Sequence, residues 1–413
     1  MSLQPVRGTH DVLPEDGRRF RTVTEAGRMT AERYGYHEIA TPILEFTEVF
    51  KRTLGDTSDI VTKEMYTFTD KGGEEVTLRP EGTAGVARAL ISGGLSQHLP
   101  LKFFYQGPMF RYERPQKGRL RQFHQIGVEL LGVAEPLGDV EVIALGAAIL
   151  SELGIAAKAR LELNTLGNTR SRAVYREVLV EYLSRHRDAL SQDSLIRLER
   201  NPLRILDSKD PGDRAVIAEA PGFGESLDAE STEFFAAVCA GLDALGIAYG
   251  LNSRLVRGLD YYCHTAFEFT TDALGAQGAI IAGGRYDGLI STMGGPETAG
   301  VGWAAGIERL ALLLDGETEP ARPIAVIPLG AAAETAALPL AERLRRGGFS
   351  VDLGYRGNLK RRMNRANKIN ARAAVIIGDD ELAQNSATLR DLDSGEQTLV
   401  PLDALDGRLA SIV

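Results

Sequence analysis

Two β-prone runs on either side of a polar, arginine-rich loop constrain this chain more than any other feature. Residues 102–106 (Lys-Phe-Phe-Tyr-Gln) are aromatic, residues 107–111 extend them, and residues 122–130 resume the pattern beyond the loop. The spacing predicts two antiparallel strands joined by a long hairpin. That hairpin reads Phe110-Arg-Tyr-Glu-Arg-Pro-Gln-Lys-Gly-Arg-Leu-Arg-Gln-Phe-His-Gln125. Side chains alternate along a strand, so Arg111 and Glu113 share a face, and Gln125 and Glu129 share one. A sheet floor with an arginine and two acceptors can hold a triphosphate and a small zwitterion together. On charge alone, a solvated basic hairpin fits equally well.

Charge distribution sharpens the reading. The 413 residues carry a formal net charge of −9, which argues against nucleic acid only if charge is spread evenly. It is not. Arg356, Lys360, Arg361, Arg362, Arg365, Lys368 and Arg372 form a run of seven basic residues without an acidic one. Arg111, Arg114, Lys117, Arg119 and Arg121 stand against Glu113 alone, a local +4. Removing these +7 and +4 segments leaves −20 for the remainder. An acidic body with two basic patches holds a polyanion at chosen places and repels it elsewhere.

Length predicts two or three domains. The longest apolar stretch, near residues 142–149, falls far short of the ~20 residues of a membrane span, and the first residues have no apolar core for a signal peptide. Cys239 and Cys263 cannot supply a disulfide framework or a four-thiolate zinc site. The six histidines show no i,i+3 or i,i+4 pairing that would suggest a metal set. A cytoplasmic protein is the simplest expectation.

Along the chain, residues 14–34 read as a helix, 36–42 as short β structure and 77–79 as a strand. Helices are expected at 82–92, 139–153 and 301–314, and strands at 265–270 and 278–282. Between about 167 and 220 the pattern turns to charged helices punctuated by Asn201-Pro202 and Asp210-Pro211-Gly212, as in an inserted helical module. A polar, proline-bearing linker at 315–323 precedes strands at 324–329, 349–353 and 373–377 and helices at 333–346 and 359–370. The expected domains are therefore 1–319 and 320–413. In the second, Leu359, Met363 and Ala366 recur at helical spacing, predicting a helix that docks by its apolar face and shows its charge outward.

Three further clusters deserve chemistry. Leu255-Val-Arg-Gly-Leu-Asp-Tyr-Tyr262 sets Arg257 before a glycine, and two tyrosines follow a carboxylate; a tyrosine corner of a core would look similar. Ala282-Gly-Gly-Arg-Tyr-Asp-Gly288 permits close backbone approach but lacks the GxGxxG spacing of a dinucleotide fingerprint. Gly300-Val-Gly-Trp-Ala-Ala-Gly-Ile-Glu-Arg-Leu310 reads as a strand–helix junction with Arg309 at a helical position, where alone it fits a surface arginine.

Together these elements are far more specific. Their order and wording resemble the class II aminoacyl-tRNA synthetases, and among them the histidyl-tRNA synthetase family very closely. Residues 110–125 resemble that family's second class motif, 300–310 the third, and 34–50 with Pro42 the first, which builds a dimer interface. Leu78-Arg-Pro-Glu-Gly-Thr-Ala84, residues 257–262 and residues 283–289 resemble its histidine-specific motifs and amino-acid loop. The resemblance covers essentially the whole chain. It implies an α+β catalytic domain built on an antiparallel sheet, with a helical insertion, and a C-terminal α/β anticodon-binding domain.

The resemblance also implies the chemistry: L-histidine is activated with ATP to histidyl-adenylate, and the histidyl group passes to the 3′-terminal adenosine of tRNA(His). Arg111 would hold the histidine carboxylate and the α-phosphate together, and Arg257 would stabilise the α-phosphate from the other side; these are the two catalytic residues. Arg309 would bind the γ-phosphate, with Arg119 and Arg121 near the triphosphate. Glu81, Gly82, Thr83 and Gln125 would surround the α-ammonium. Glu129 would accept from one imidazole nitrogen and Tyr262 donate to the other, with Tyr261 lining the pocket. Lys360, Arg361, Arg362, Arg365 and Lys368 would meet the tRNA. Mg2+ is expected with ATP, on ligands the sequence does not identify, and the partners would be tRNA(His), histidine, ATP and a second copy in a homodimer.

Departures from the family pattern are few: Cys263-His264 after the tyrosine pair, Leu120 where tyrosine is frequent, and fewer glycines in Tyr355-Arg-Gly-Asn358. One rival reading is the regulatory subunit of ATP phosphoribosyltransferase, which resembles the catalytic domain. That family usually lacks the intact Arg-Gly-Leu-Asp-Tyr-Tyr segment, the third-motif arginine and the anticodon domain, all of which are in this sequence. The other is an RNA-binding or stress-sensing protein on a synthetase-like scaffold, for which Arg111, Arg257 and Arg309 would be unnecessary.

Overall fold

The computed structural model describes residues 3–54, 60–116, 118–256, 261–275, 278–316 and 320–412, with the side chains of Leu54, Ile60, Thr62 and Asp207 set aside. It divides into two compact units, residues 1–316 and 317–413. Among the described residues, no helix is long and apolar enough to cross a membrane.

The first unit is built on an eight-stranded sheet. In chain order its strands are β1 (His37–Glu38), β2 (Leu101–Phe110), β3 (Gln122–Leu131), β4 (Arg160–Thr165), β5 (Tyr249–Leu251), β6 (Cys263–Thr270), β7 (Ala279–Arg285) and β8 (Gly300–Gly306). Their spatial order is β1-β2-β3-β8-β7-β6-β4-β5. The inner pairs are antiparallel, and a parallel pair closes each edge, β1 on β2 and β4 on β5. The long hairpin expected from the sequence is β2–β3, paired from Leu101↔Leu131 to Phe110↔Gln122.

Each sheet face has its own core. One face carries Ile126, Val128, Leu130, Phe267 and Trp303 against helices α1 (Pro14–Arg33), α2 (Pro136–Glu152) and α3 (Ala229–Ala244). Helix α2 buries residues all round, as a helix enclosed on every side must, and its Val142 carbonyl accepts from the Trp303 indole at 2.9 Å. The opposite face carries Tyr105, Met109, Leu131, Tyr262 and Tyr286 in one cluster with Tyr175, Leu179, Ile205, Leu206 and Phe223 of the helical region after residue 167. The inserted helices thus share a core with the sheet.

Residues 301–314 are not one helix. The strand β8 takes 300–306, and a helix follows over Ile307–Leu313. The alanines and leucines suggest helix, but Gly300, Gly302 and Gly306 suit a central strand whose neighbours crowd it. A Cβ at Gly302 would collide with the Glu129 carboxylate and the Val128 carbonyl, and one at Gly300 with the Tyr286 ring.

The 413-residue chain's second unit is a five-stranded sheet, in spatial order Val351–Leu353, Ile324–Pro328, Ala373–Ile377, Ser386–Asp391 and Gln397–Pro401. The first three strands are parallel and the last two antiparallel, so the α/β alternation ends in a hairpin that the sequence pattern does not announce. Helices Ala331–Arg346 and Leu359–Lys368 cover opposite faces.

An ion pair buried in the first unit joins its parts. Arg285, at the end of β7, gives Nε to Asp139 Oδ2 at 3.0 Å and pairs with it through Nη2; neither side chain is exposed. Arg285 Nη1 donates to the Val133 carbonyl at 2.9 Å and to Asp287 at 3.0 Å, and Asp287 accepts from the Gly300 N–H at 3.0 Å. Removing one partner leaves an uncompensated buried charge. Arg285→Met is expected to cost about 3–5 kcal/mol, read as a lowered urea-unfolding midpoint, with Arg285→Met/Asp139→Leu recovering part of the loss.

Candidate active site

A cleft of about 370 Å³ opens on the face of the sheet that carries Gln125. Its walls bring together Glu81, Thr83, Arg111, Arg119, Gln125, Tyr261, Tyr262 and Arg309 from four distant stretches of sequence. Arg257 lies outside the described residues, as does Lys117 of the hairpin.

The acidic end of the site is built on a helix start. Glu81 accepts from the N–H groups of Thr83 at 2.7 Å and Ala84 at 2.8 Å, satisfying two orphan donors of the helix Thr83–Ser92. Burial pushes its carboxyl above its ordinary range, while those donors and Arg111 pull the other way. Gly82 between them has no room for a side chain, because the Tyr105 ring occupies that space.

Thr83 links the cleft wall to Glu129 behind it. Its Oγ1 donates to Glu129 Oε1 at 2.7 Å, and the Tyr286 hydroxyl donates to Oε2. Glu129 is fully buried and, like Gly82, is not among the cleft-lining residues, so the direct contact with a ring nitrogen expected from the sequence is not open in this conformation. Both of its oxygens are already engaged. Burial pushes the carboxyl up to about 8, against the opposing pull of Tyr286 and Thr83.

Apart from Glu113 Oε2, which the Arg119 ion pair engages, two polar atoms on the walls lack a hydrogen-bond partner among the described residues: Gln125 Oε1 and the Tyr261 hydroxyl, both buried. Burial holds the Tyr261 phenol well above its ordinary value, so it remains a donor. Buried polar groups are rarely left unpaired, and this acceptor and donor in one cleft are what a polar ligand would satisfy. The rings of Tyr261 and Tyr262 lie 4.6 Å apart, and Tyr286 meets both edge-on at 5.8 and 6.4 Å.

The basic end gathers three guanidinium groups. Arg111 donates from Nε to the Pro80 carbonyl at 2.9 Å and lies over the Phe123 ring. Arg309 is held by the Gly118 carbonyl at 3.1 Å and the Ala279 carbonyl at 2.7 Å. Arg119, itself partly exposed, pairs with the buried Glu113. Burial first, then repulsion from Arg119 and Arg111, pushes the Arg309 guanidinium below its ordinary value. An anion would relieve that crowding.

Arg121 is elsewhere. Its guanidinium stacks 3.8 Å over the Tyr112 ring, its Nε donates to the Glu113 carbonyl at 3.1 Å, and it does not line the cleft. It faces away because the Tyr112 ring and the Glu113 carbonyl hold its guanidinium there. Sequence patterning also missed Glu268 and Glu308 on the walls. Glu308 accepts from both the backbone N–H and Nδ1 of His124, each at 2.9 Å, a pairing across the sequence that no local motif signals.

The basic helix of the second unit also differs from expectation. Arg362 is buried: Nη2 pairs with Glu334 at 2.8 Å and Nη1 donates to the Pro328 carbonyl. Arg365 makes a two-point pair with Asp352 at 2.7 and 2.9 Å. Leu359 is 40% exposed, so the docking face is Arg362, Met363 and Ala366. Lys360, Arg361 and Lys368 remain exposed.

The chain matches the family model described as histidyl-tRNA synthetase over residues 8–310 and the anticodon-binding domain over 323–412. It is 62% identical over 410 residues to a protein of Rhodospirillum rubrum named "Histidine--tRNA ligase", covering 99% of both chains. It is 57% identical over 411 residues to one of the same name from Gluconacetobacter diazotrophicus, covering 100% of this chain and 99% of that one. The solved structure of apo S. aureus histidyl-tRNA synthetase superposes with a TM-score of 0.83 at 35% identity, covering 98% of this chain and 99% of that one.

The raised Glu129 carboxyl makes stability depend on pH. Folded, it keeps its proton up to about 8, whereas at its ordinary 4.5 it would lose it earlier. Its stabilising share is full below pH 4.5 and drains away as pH rises through 8. Urea unfolding at pH 5 and pH 8 should show the wild type losing more stability than Glu129→Gln, by on the order of a few kcal/mol.

Proposed function

Because the chain belongs to the histidyl-tRNA synthetase family, enzymes that use ATP to join histidine to tRNA, we propose how its residues divide that work. The support is the convergence of Arg111, Arg119 and Arg309 with Glu81, Thr83, Gln125 and Tyr261 on one cleft. The guanidinium end receives ATP and the carboxylate and hydroxyl end receives the amino acid.

In the first step the histidine carboxylate attacks the α-phosphate and pyrophosphate leaves. Arg111 spans the attacking carboxylate and the α-phosphate, and Arg257 stabilises the charge that develops there. Arg309 takes the γ-phosphate with Arg119 beside it, while Arg121 braces the hairpin. Arginine suits these tasks because its charge is fixed and its fork matches phosphate oxygens. Such chemistry asks the protein mainly for positioning and charge stabilisation. Magnesium enters on the nucleotide's phosphates, as part of the substrate. Among the described residues no group of three or more His, Cys, Asp or Glu side chains is placed to hold a metal by itself.

The α-ammonium is taken by Glu81, Thr83 and Gln125 at the edge of Gly82. The imidazole enters between Tyr261 and Tyr262, and Glu129 pairs with a ring nitrogen once Thr83 or Tyr286 yields its bond. A site that pairs both ring nitrogens rejects apolar isosteres by ~10⁴ or more, because its own polar groups would be left unpaired. In the second step the terminal adenosine hydroxyl of tRNA(His) attacks the adenylate carbonyl.

The chain works as a homodimer in the cytoplasm, where ATP and tRNA are found. Supporting the dimer, the three-stranded sheet of Leu44–Phe46, Glu75–Leu78 and Tyr66–Thr69 exposes Leu44, Phe46 and Phe68. Phe46 and Phe68 flank Val76 in register, a continuous apolar face of the kind that protein contacts cover.

Amino-acid-dependent ATP–pyrophosphate exchange, run with each of the twenty amino acids, should respond to histidine alone. Arg257→Ala should lower that exchange by about 10²–10³-fold without loss of fold; exchange at the wild-type rate would remove Arg257 from the reaction. In the second unit, replacing Lys360, Arg361 and Lys368 together by Ala should weaken tRNA binding and flatten its salt dependence while sparing exchange. Arg362→Ala should instead lower that unit's melting temperature.

A further inference from the structure

Among the described residues, one side chain on the cleft wall comes from the inserted helical region: Lys209. It lies in the loop between the 3-10 helix Pro202–Asp207 and the helix Pro211–Ala218. Its side chain is exposed, and no hydrogen bond or ion pair engages it among the described residues.

The loop is fixed at both ends. Asp213 is fully buried and accepts from the Ser191 N–H and Oγ at 2.7 Å each, from Ser194 Oγ at 2.6 Å and from Ser208 Oγ at 2.5 Å. Asp210 caps the next helix through the N–H groups of Gly212 at 2.8 Å and Asp213 at 3.2 Å. Ile205 and Leu206, just upstream, are buried in the cluster that contains Tyr105, Met109 and Tyr262. Lys209 is therefore carried on a rigid arm anchored to the catalytic sheet.

The charges on the walls say what it can hold. Four carboxylates line the cleft: Glu81 on a helix start, Glu113 on Arg119, Glu308 on His124, and Glu268 on the strand β6. Without Lys209, the described charged side chains on the walls are three guanidinium groups clustered at one end against these four carboxylates, so a further cation adds to what a triphosphate can use. An ammonium has three donors and no acceptor, and on a flexible stem it acts as a point charge for phosphate. We propose that Lys209 is a nucleotide-phosphate-binding residue, supplied by the insertion to the adenylation site.

The proposal rests on the adenylation reading of the cleft and deepens it. The test uses full-length Lys209→Met and Lys209→Arg with ATP and histidine in pyrophosphate exchange. Lys209→Met should raise the ATP KM or lower kcat so that kcat/KM for ATP falls at least tenfold. The histidine KM should stay within twofold, the melting temperature should be unchanged, and Lys209→Arg should regain most of the activity. Single-turnover transfer from preformed histidyl-adenylate to tRNA should be spared. Unchanged exchange in Lys209→Met would overturn the proposal, as would a parallel rise in histidine KM or no recovery in Lys209→Arg. A loss confined to transfer would also overturn it, assigning Lys209 to the tRNA end instead. Absence of histidine-dependent exchange in the wild type would strike the adenylation reading itself, a result distinct from all of these.

Discussion

The catalytic unit depends on one buried ion pair, Arg285 with Asp139. Two charges without solvent exposure are tolerated only when each is matched by geometry and by further hydrogen bonds. Here the Val133 carbonyl and Asp287 supply those bonds, and Asp287 passes the constraint to the start of β8. The pair thereby fixes helix α2, the end of β7 and the beginning of β8 as one piece. Tyr286 follows Arg285 directly, its hydroxyl reaches Glu129, and Glu129 meets Thr83 beside the cleft. A structural charge pair and the ligand-facing wall are thus three side chains apart.

The cleft has two electrostatic ends. At one, burial and the neighbouring Arg119 and Arg111 lower the proton affinity of the Arg309 guanidinium, an arrangement that invites an anion. At the other, desolvated carboxyls and a phenol hold protons more tightly than usual. A ligand with phosphate at one end and ammonium and imidazole at the other satisfies both, and the unpaired Gln125 and Tyr261 atoms add the directional contacts.

Local pattern revealed the parts that obey local rules. The β2–β3 hairpin followed from β propensity around a polar loop, the parity of Gln125 and Glu129 from strand alternation, and most helices from periodicity. What it could not reveal are pairings between distant residues. Asp139 and Arg285 are 146 positions apart, and nothing near either one announces the other. The same holds for His124 with Glu308 and for the burial of Arg362, whose charge suggested solvent until Glu334 supplied a partner. Gly300, Gly302 and Gly306 look permissive in a helical-seeming run. Only the neighbours Tyr286 and Glu129 explain why no side chain fits at the first two.

The inserted helices are welded to the chemistry rather than hung from it. Arg172, in the helix Thr169–Arg185, donates to the Tyr262 carbonyl at 2.7 Å, while Tyr175 and Phe223 stack at 3.7 Å in the core beneath. Excising this region would strip the tyrosine pair of its backbone brace and uncover Met109 and Leu131. A shortened chain would need other groups to brace that carbonyl and to cover those side chains.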